Sequence, residues 1–448
     1  MEKTRIALPG GITHGMVVWF FIGSLFGGLL FINGYLFELP LPQLPQITGL
    51  PTHNQAAYDA YLNGLDHGLD GDYDRSIEQY TRALEEDPEF SVAWAALSRA
   101  HSAIYFNGID PTEDRLILAR DAVDRAFQID IDLPEAHVAL GYYYYQGARD
   151  YERALEEFAI AEPYFPYDAD LLRTRAFMYR SMGDWNAALY ELGRAAEIEP
   201  ENMESLEQQA LTHIVLRNYS VAETLLDQVL EIVPENEYAQ IYRAMIPLYR
   251  DGNANALRTE SESAIGSGRP WMAWLAAFIN RDYRGARLAL DETVRDTLLW
   301  HGGYMPKSLA YGLTQHWAGN TDVAQLHFES ARQVLERDLQ TDPDNPNLQI
   351  ALGETLAYLG AHDSAIRIAN RVIGVFPVSE DAFIGPRYIL GAVRILAAAG
   401  DHRTAINSFE AYLSSPGRFS IEGILSDPRF DSIRDDSSVQ ALVDRYGR

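Results

Sequence analysis

The sequence has 448 residues, enough for about three ordinary domains or one long repeat array. Its 47% hydrophobic and 22% charged residues describe a packed protein and not a disordered one, and 36 Lys+Arg against 64 Asp+Glu give a formal charge of −28. That charge argues against nucleic acid or an anionic lipid surface as a main partner, and the lack of cysteine excludes disulfides, thiol catalysis and Cys-ligated metals within this sequence.

Lys3 and Arg5 lie in a short leader, residues 1–14, that reads as a cytoplasmic tail. From Gly15 to Phe37 there are 23 residues without a charge, and about 20 suffice to cross a bilayer as a helix. Trp19 and Tyr35 stand near its two ends, where amphipathic rings favour the headgroup level. The next basic residue is Arg75, so the positive-inside rule places everything after Glu38 outside. An uncleaved transmembrane anchor over 15–37 fits better than a signal peptide, since no small-x-small cleavage site follows. Gly23 and Gly27, overlapped by Ser24 and Gly28 at the same spacing, offer a face for helix–helix contact in lipid, although glycine is common in membrane helices on any account. Pro40, Pro42, Pro45 and Pro51 make 38–54 an extended connector.

From residue 55 the sequence repeats itself every ~34 residues. Each unit shows small residues where two helices would touch, a turn that is often Gly-Asp-aromatic, and a proline that ends the second helix. Gly64, Gly71-Asp72-Tyr73, Tyr80, Ala83 and Pro88 form the first. The fourth has Ala176, Gly183-Asp184-Trp185, Ala188, Leu192 and Pro200. The pattern weakens after Ala244, where Gly252 and Asp282-Tyr283 still mark turns, and recovers at Gly312, Phe328, Gly353 and Gly400-Asp401. It resembles the tetratricopeptide (TPR) repeat family. The resemblance implies an all-α, TPR-like α-solenoid of about nine or ten helix–turn–helix units following one N-terminal transmembrane helix. A hinge near 266–271 would divide it into arrays at 55–265 and 266–416, with 417–448 as a polar capping segment.

No metalloprotease, Walker, nucleophile-elbow or Rossmann pattern is present, the eleven histidines have no ligand spacing, and neither enzyme activity, a metal nor a cofactor is expected. Binding remains. In the TPR family the first helix of each unit lines a groove, at positions three before, one after and four after its small residue. Carried onto this sequence, those positions give Tyr61, Arg99, Tyr142, Tyr145, Arg173, Phe177 and Arg180. Aromatic and arginine side chains together suit a peptide bearing an acidic group and an apolar anchor. The plainer reading is that the tyrosines pack between helices and the arginines neutralise nearby acids. Some family members clamp a C-terminal carboxylate with Lys and Asn, but Tyr61, Leu65, Ala95 and Arg99 stand here instead.

Tyr58–Gly64 and Asp427-Pro428-Arg429-Phe430 are similar to a subgroup found in bacterial membrane-anchored transcription regulators, cyclases and kinases. Residues 1–14 leave no room for such an effector domain before the span, so a one-chain signalling role is not expected. The resulting expectation is a single-pass, non-enzymatic scaffold of the bacterial inner membrane. Its repeats would hold protein partners on the periplasmic side, these being subunits of a membrane complex. The alternatives are a sensory or regulatory subunit with a separate effector, and an envelope-biogenesis enzyme or transport part.

Overall fold

The structure is a computed structural model and describes residues 29–32, 35–38, 52–263, 269–300, 303–375 and 377–447. Gly23, Ser24, Gly27 and Gly28 lie outside the described residues, as do most of the connector and residues 264–268 of the expected hinge. Within the uncharged run the described part is not helical. β1 (Leu29–Ile32) and β2 (Tyr35–Glu38) pair antiparallel, with Leu30 opposite Phe37 and Ile32 opposite Tyr35. Residues 29–32 and 35–38 thus differ from the helix expected over 15–37, whose residues 15–28 lie outside the described residues, and the sequence carries a reason for the strands. Asn33-Gly34 between two apolar, β-prone quartets is among the strongest short-range hairpin signals. Among the described residues no helix is long and apolar enough to cross a membrane.

From residue 55 the chain is TPR-like and almost entirely helical, in two compact units. The first unit holds α1 (Gln55–Leu69) with α2 (Tyr73–Glu86), α3 (Ser91–Phe106) with α4 (Glu113–Ile129), and α5 (Pro134–Tyr142). Residues 160–165 count with it. The second unit starts in a π-helical turn, Tyr143–Ala148, and α6 (Tyr151–Ala161). It continues through α7 (Ala169–Met182) with α8 (Trp185–Ile198), α9 (Glu204–Val215) with α10 (Tyr219–Ile232), and α11 (Glu237–Asp251) with α12 (Asn255–Ser263). Next come α13 (Pro270–Ile279) with α14 (Tyr283–Asp291), then α15 (Lys307–Trp317) with α16 (Thr321–Thr341). The last pairs are α17 (Pro346–Tyr358) with α18 (His362–Val375) and α19 (Gly385–Ala398) with α20 (His402–Leu413). The described residues thus hold nine helix pairs, with α5 and α6 besides.

The repeat pattern acts through two local devices. The first is the turn. Gly71, Gly183 and Gly400 adopt φ of +75°, +81° and +82°, the left-handed conformation that ends a helix. The Asp that follows caps the next helix: Asp72, Asp184 and Asp401 each accept from a backbone amide three residues on, Arg75, Ala187 and Thr404. The second is close approach. A Cβ on Gly64 would fall 2.5 Å from the Tyr80 ring, and one on Gly312 would fall 2.5 Å from Phe328. The small residue of the first helix is therefore the seat for the large one of the second.

Packing is continuous on both sides of the expected hinge. One hydrophobic cluster runs from Met203 to Ala351 and takes in Leu257, Trp271 and Trp274. Arg269 ties α11 to α12, with Nε 3.1 Å from Glu237 and Nη1 2.9 Å from Glu260. A feature with no counterpart in the repeat pattern interrupts the pairs after α14. β3 (Thr297–Trp300) and β4 (Gly303–Pro306) form a hairpin with Leu298 opposite Met305.

The end of the second unit is more than a cap. After α20 come α21 (Ile421–Leu425), a 3₁₀ turn at Pro428–Phe430, α22 (Asp431–Arg434) and α23 (Ser437–Tyr446). The segment 412–431 runs back along the turns of the α9/α10, α11/α12 and α13/α14 pairs. Gly417 N donates to Val215 O at 2.7 Å, and Ser420 N donates to Tyr249 O at 2.8 Å. In two of these three turns an arginine holds the left-handed position: Arg217 at φ +58° and Arg281 at φ +59°. Such a backbone costs a side-chain-bearing residue roughly 1–2 kcal/mol. Both arginines offset it by gripping the returning segment. Arg217 donates from Nε to Phe419 O at 2.9 Å and from Nη1 to Leu413 O at 3.3 Å. Arg281 forms a two-pronged bond to Asp431 at 2.7 and 2.8 Å. The third turn keeps Gly252, where a Cβ would sit 2.4 Å from Ser426 Cβ.

Candidate functional site

The groove residues expected from the sequence divide between the two units. In the first, α1 brings Tyr61, α3 brings Arg99 and α5 brings Tyr142. The exposed Arg99 guanidinium lies over the Tyr142 ring, 4.7 Å from its centroid. Tyr61 packs on Phe90 at 5.1 Å and Tyr80 at 5.9 Å between ring centroids. Burial raises the Tyr61 hydroxyl above its ordinary pKa, so it stays a neutral hydrogen-bonding group. Burial likewise raises the Glu135 carboxyl, whose charge is felt at Tyr61. This cluster can meet an aromatic or aliphatic anchor and, through Arg99, an acidic group.

In the second unit Tyr145 packs against Tyr151, with centroids 6.2 Å apart. Arg173 is buried and surrounded by acids. It pairs with Asp170, with Glu199 at 2.9 Å and with Glu204 at 3.5 Å, and bonds Ser205 Oγ at 3.3 Å. Its charge is consumed within the fold, as the plainer reading of the sequence has it. Arg180 sits on the Phe177 ring at 4.8 Å and under the Phe383 ring at 4.1 Å, and donates to Gln208 at 2.9 Å. Burial lowers its pKa to about 10. The loop carrying Phe383 docks on α7, where Ala382 N donates to Ser181 O at 2.8 Å and Ser181 Oγ donates to Asp381 at 3.1 Å. Arg180 and Phe177 are thus covered by the chain itself.

A cavity with a volume of about 390 Å³ lies elsewhere in the second unit. Its walls come from α11, α13, β4, α17 and α19, and the segment around Phe419 closes it. Aromatic rings dominate one side. Tyr249 meets Phe419 edge-on at 4.7 Å, and Trp274, with its indole N–H satisfied by Thr314 Oγ1 at 3.0 Å, stacks on Phe278 at 5.3 Å. The charged lining comprises Arg387, Arg394, Arg418 and Arg429 against Glu354 and Asp427.

The sequence motif Asp427-Pro428-Arg429-Phe430 is the lock of this closure. Asp427 accepts from Arg429 N at 2.9 Å and from its guanidinium at 2.6 Å, while Arg429 Nη1 reaches Glu354 of α17 at 3.3 Å. Phe430 stacks on Phe409 of α20 at 6.2 Å. Burial opposes the charge on Asp427, yet Arg429 holds the carboxyl below the ordinary range. Sequence reasoning singled out the motif but not Arg387, Arg394 and Arg418, which share a site only because residues 215 to 430 fold around it. The seven-residue spacing of Arg387 and Arg394 on one amphipathic helix was the available signal.

Among the described residues no histidine lines the cavity. Burial and Arg115 lower the His101 pKa to about 4, with Arg115 Nη1 3.1 Å from its Nδ1. Burial alone lowers His213, His316 and His327.

No protein-family model matches the chain, and no curated protein matches it. Among solved structures it is similar to the MamA protein, with 18% identity over 40% of this chain and 93% of that one and a TM-score of 0.30. It is also similar to PilW, a widely conserved type IV pilus biogenesis factor, with 14% identity over 53% of this chain and 92% of that one and a TM-score of 0.35. A third is TTC0263, a thermophilic TPR protein of Thermus thermophilus, with 20% identity over 42% of this chain and 97% of that one and a TM-score of 0.35.

Proposed function

We propose that this chain is a non-enzymatic scaffold that holds other proteins through its first unit. The observation that carries the reading is the Arg99–Tyr142 pair beside Tyr61, an arginine kept exposed on an aromatic platform in a strongly acidic chain. Aromatic–arginine surfaces of this kind supply the few contacts that dominate protein recognition. The partner segment it suits is extended, with one apolar anchor and one carboxylate.

Attachment to the bacterial inner membrane, with the repeats on the periplasmic side, is part of the same proposal. It is supported by the uncharged run 15–37 and by Lys3 and Arg5 before it. An open two-stranded hairpin cannot sit in hydrocarbon, because its outer edges leave backbone groups unpaired. The proposal therefore requires 29–38 to become helical on insertion. Partners would be subunits of a membrane complex.

The test is purification of the full chain from membranes in mild detergent, followed by native mass spectrometry and cross-linking. A stoichiometric partner cross-linked near Arg99, and lost in the double variant R99A/Y142A, is the expected result. A lone monomer, or a partner retained by the double variant, overturns the reading. For tethering, resistance to alkaline extraction is expected, and release of the full chain into the soluble fraction overturns it.

A further inference from the structure

The cavity of the second unit is electrically incomplete. Four arginines line it against two carboxylates, within a chain whose net charge is −28. Arg429 is spent on Asp427 and Glu354. Arg394 reaches Glu354 only at 3.7 Å, and its buried Nε makes no hydrogen bond. Arg387 bonds the neutral side chain of Asn347 and lies over the Tyr388 ring at 5.6 Å. Arg418 lies over the Tyr242 ring at 5.8 Å. Neither Arg387 nor Arg418 pairs with a carboxylate among the described residues. Burial, and then the neighbouring charges of Arg418 and Arg394, depress the Arg387 pKa, whereas, against its burial, Tyr242, Tyr249 and Tyr238 raise that of Arg418.

Such a cluster is costly to fold unless an anion completes it. The rest of the wall is apolar and rigid, with Trp271, Trp274, Ile350 and Leu390 among its members. A volume near 390 Å³ falls in the range of pockets for small organic ligands, about 300–1,000 Å³. An inorganic anion would leave that apolar space unfilled, and a neutral hydrocarbon would leave the guanidiniums unmatched. We propose that the cavity binds a small apolar monocarboxylate, its carboxylate held by Arg387 and Arg418 and its hydrocarbon against Trp271, Trp274 and Ile350. This goes beyond the scaffold function, which rests on the other unit, and stands or falls without it.

The two tryptophans report directly. The full chain is titrated with decanoate and with decan-1-ol, both below aggregation, following indole fluorescence and the thermal midpoint. Decanoate is expected to give a saturable signal and a raised midpoint, with the alcohol binding at least about tenfold more weakly, as the loss of a charge-assisted pair implies. The variant R387Q/R418Q should bring decanoate down to the level of the alcohol, and A351F, which fills the cavity, should abolish both signals. Equal binding of acid and alcohol by the wild-type chain overturns the proposal whether or not the variants fold. So does the absence of any saturable decanoate signal, or tighter binding of a tripeptide ending in phenylalanine with a free carboxylate.

Discussion

The arginines of the early repeats and those of the late repeats have opposite fates. Arg173 sits in a ring of acids drawn from its own helix and from the next pair, at i−3, i+26 and i+31, and its charge goes no further. Arg387 and Arg418 line a largely apolar cavity whose two carboxylates, Glu354 and Asp427, are engaged by Arg429. Arg99 is a third case, exposed on a tyrosine and able to reach outward. Residue type alone therefore does not mark a binding arginine in a repeat protein. Burial and the side chains around each arginine separate the three cases.

Disrupting the lock of the late repeats should have the largest effect on this contrast. R429M leaves Asp427, 8% exposed, without its cation and Glu354, 2% exposed, with only Arg394 at 3.7 Å. A loss of about 3–5 kcal/mol is expected, read by urea denaturation, with hydrogen exchange rising first at Ser420–Arg434. Unchanged exchange there would show that the returning segment is held by other means. G423A reaches the same contact by sterics, since its Cβ would lie 2.4 Å from Tyr249 O.

Acid acts on the first unit next. His101 is 6% exposed with a pKa near 4 in the folded state, below the ordinary 6.5. The unfolded chain takes up its proton first, so this contribution to stability is whole above pH ~6.5 and falls away as pH drops toward 4. The loss for the first unit is on the order of 3 kcal/mol, and H101L should flatten it. Asp427 also shifts downward, here against its burial, because Arg429 favours its ionised form. Its depressed pKa gives stability that is present above the ordinary carboxylate range and lost only as pH falls through the lower folded value. His213, His316 and His327, lowered by burial, give the second unit a loss of the same sign as that from His101. Denaturation of the first unit between pH 7 and 3 is therefore compared between the wild-type chain and H101L, and an unchanged pH dependence in H101L would contradict the assignment.

The smallest effect is expected at Arg281. Its pair with Asp431 is 42% and 33% exposed, so R281A should cost no more than about 1 kcal/mol from the ion pair, and it keeps the left-handed backbone strain that only glycine relieves. R281G should then be no less stable than R281A, a difference that thermal denaturation can resolve.

Much of the fold was legible because its causes are local. Gly-Asp-aromatic specifies a helix stop and a helix start within three residues, and Gly64 with Tyr80 specifies a close crossing. Hairpin β3–β4 was not legible, because nothing in a 34-residue helical period announces a two-strand insertion. The β1–β2 hairpin was legible in Asn33-Gly34 but was outweighed by the length of the uncharged run. The cavity was hidden for a different reason: its arginines come from α19 and from the segment after α20, and their lack of acids is a property of the packed unit. One signal did stand in plain view. Arg217 and Arg281 occupy turn positions where sibling repeats carry glycine, and a bulky residue there implies a partner for its side chain.

Ordinary helical repeats touch only their neighbours, so units can be gained or lost with little consequence. The strap from Arg217 to Phe419 joins residues 202 positions apart and breaks that independence. Adding or deleting one helix pair between them would move Asp431 out of register with Arg281 and Ser426 off the space that Gly252 leaves open. The second unit is in this sense length-locked. Its repeat number is fixed by geometry, and drift in copy number, the usual route by which such arrays diversify, is closed to this stretch of the chain.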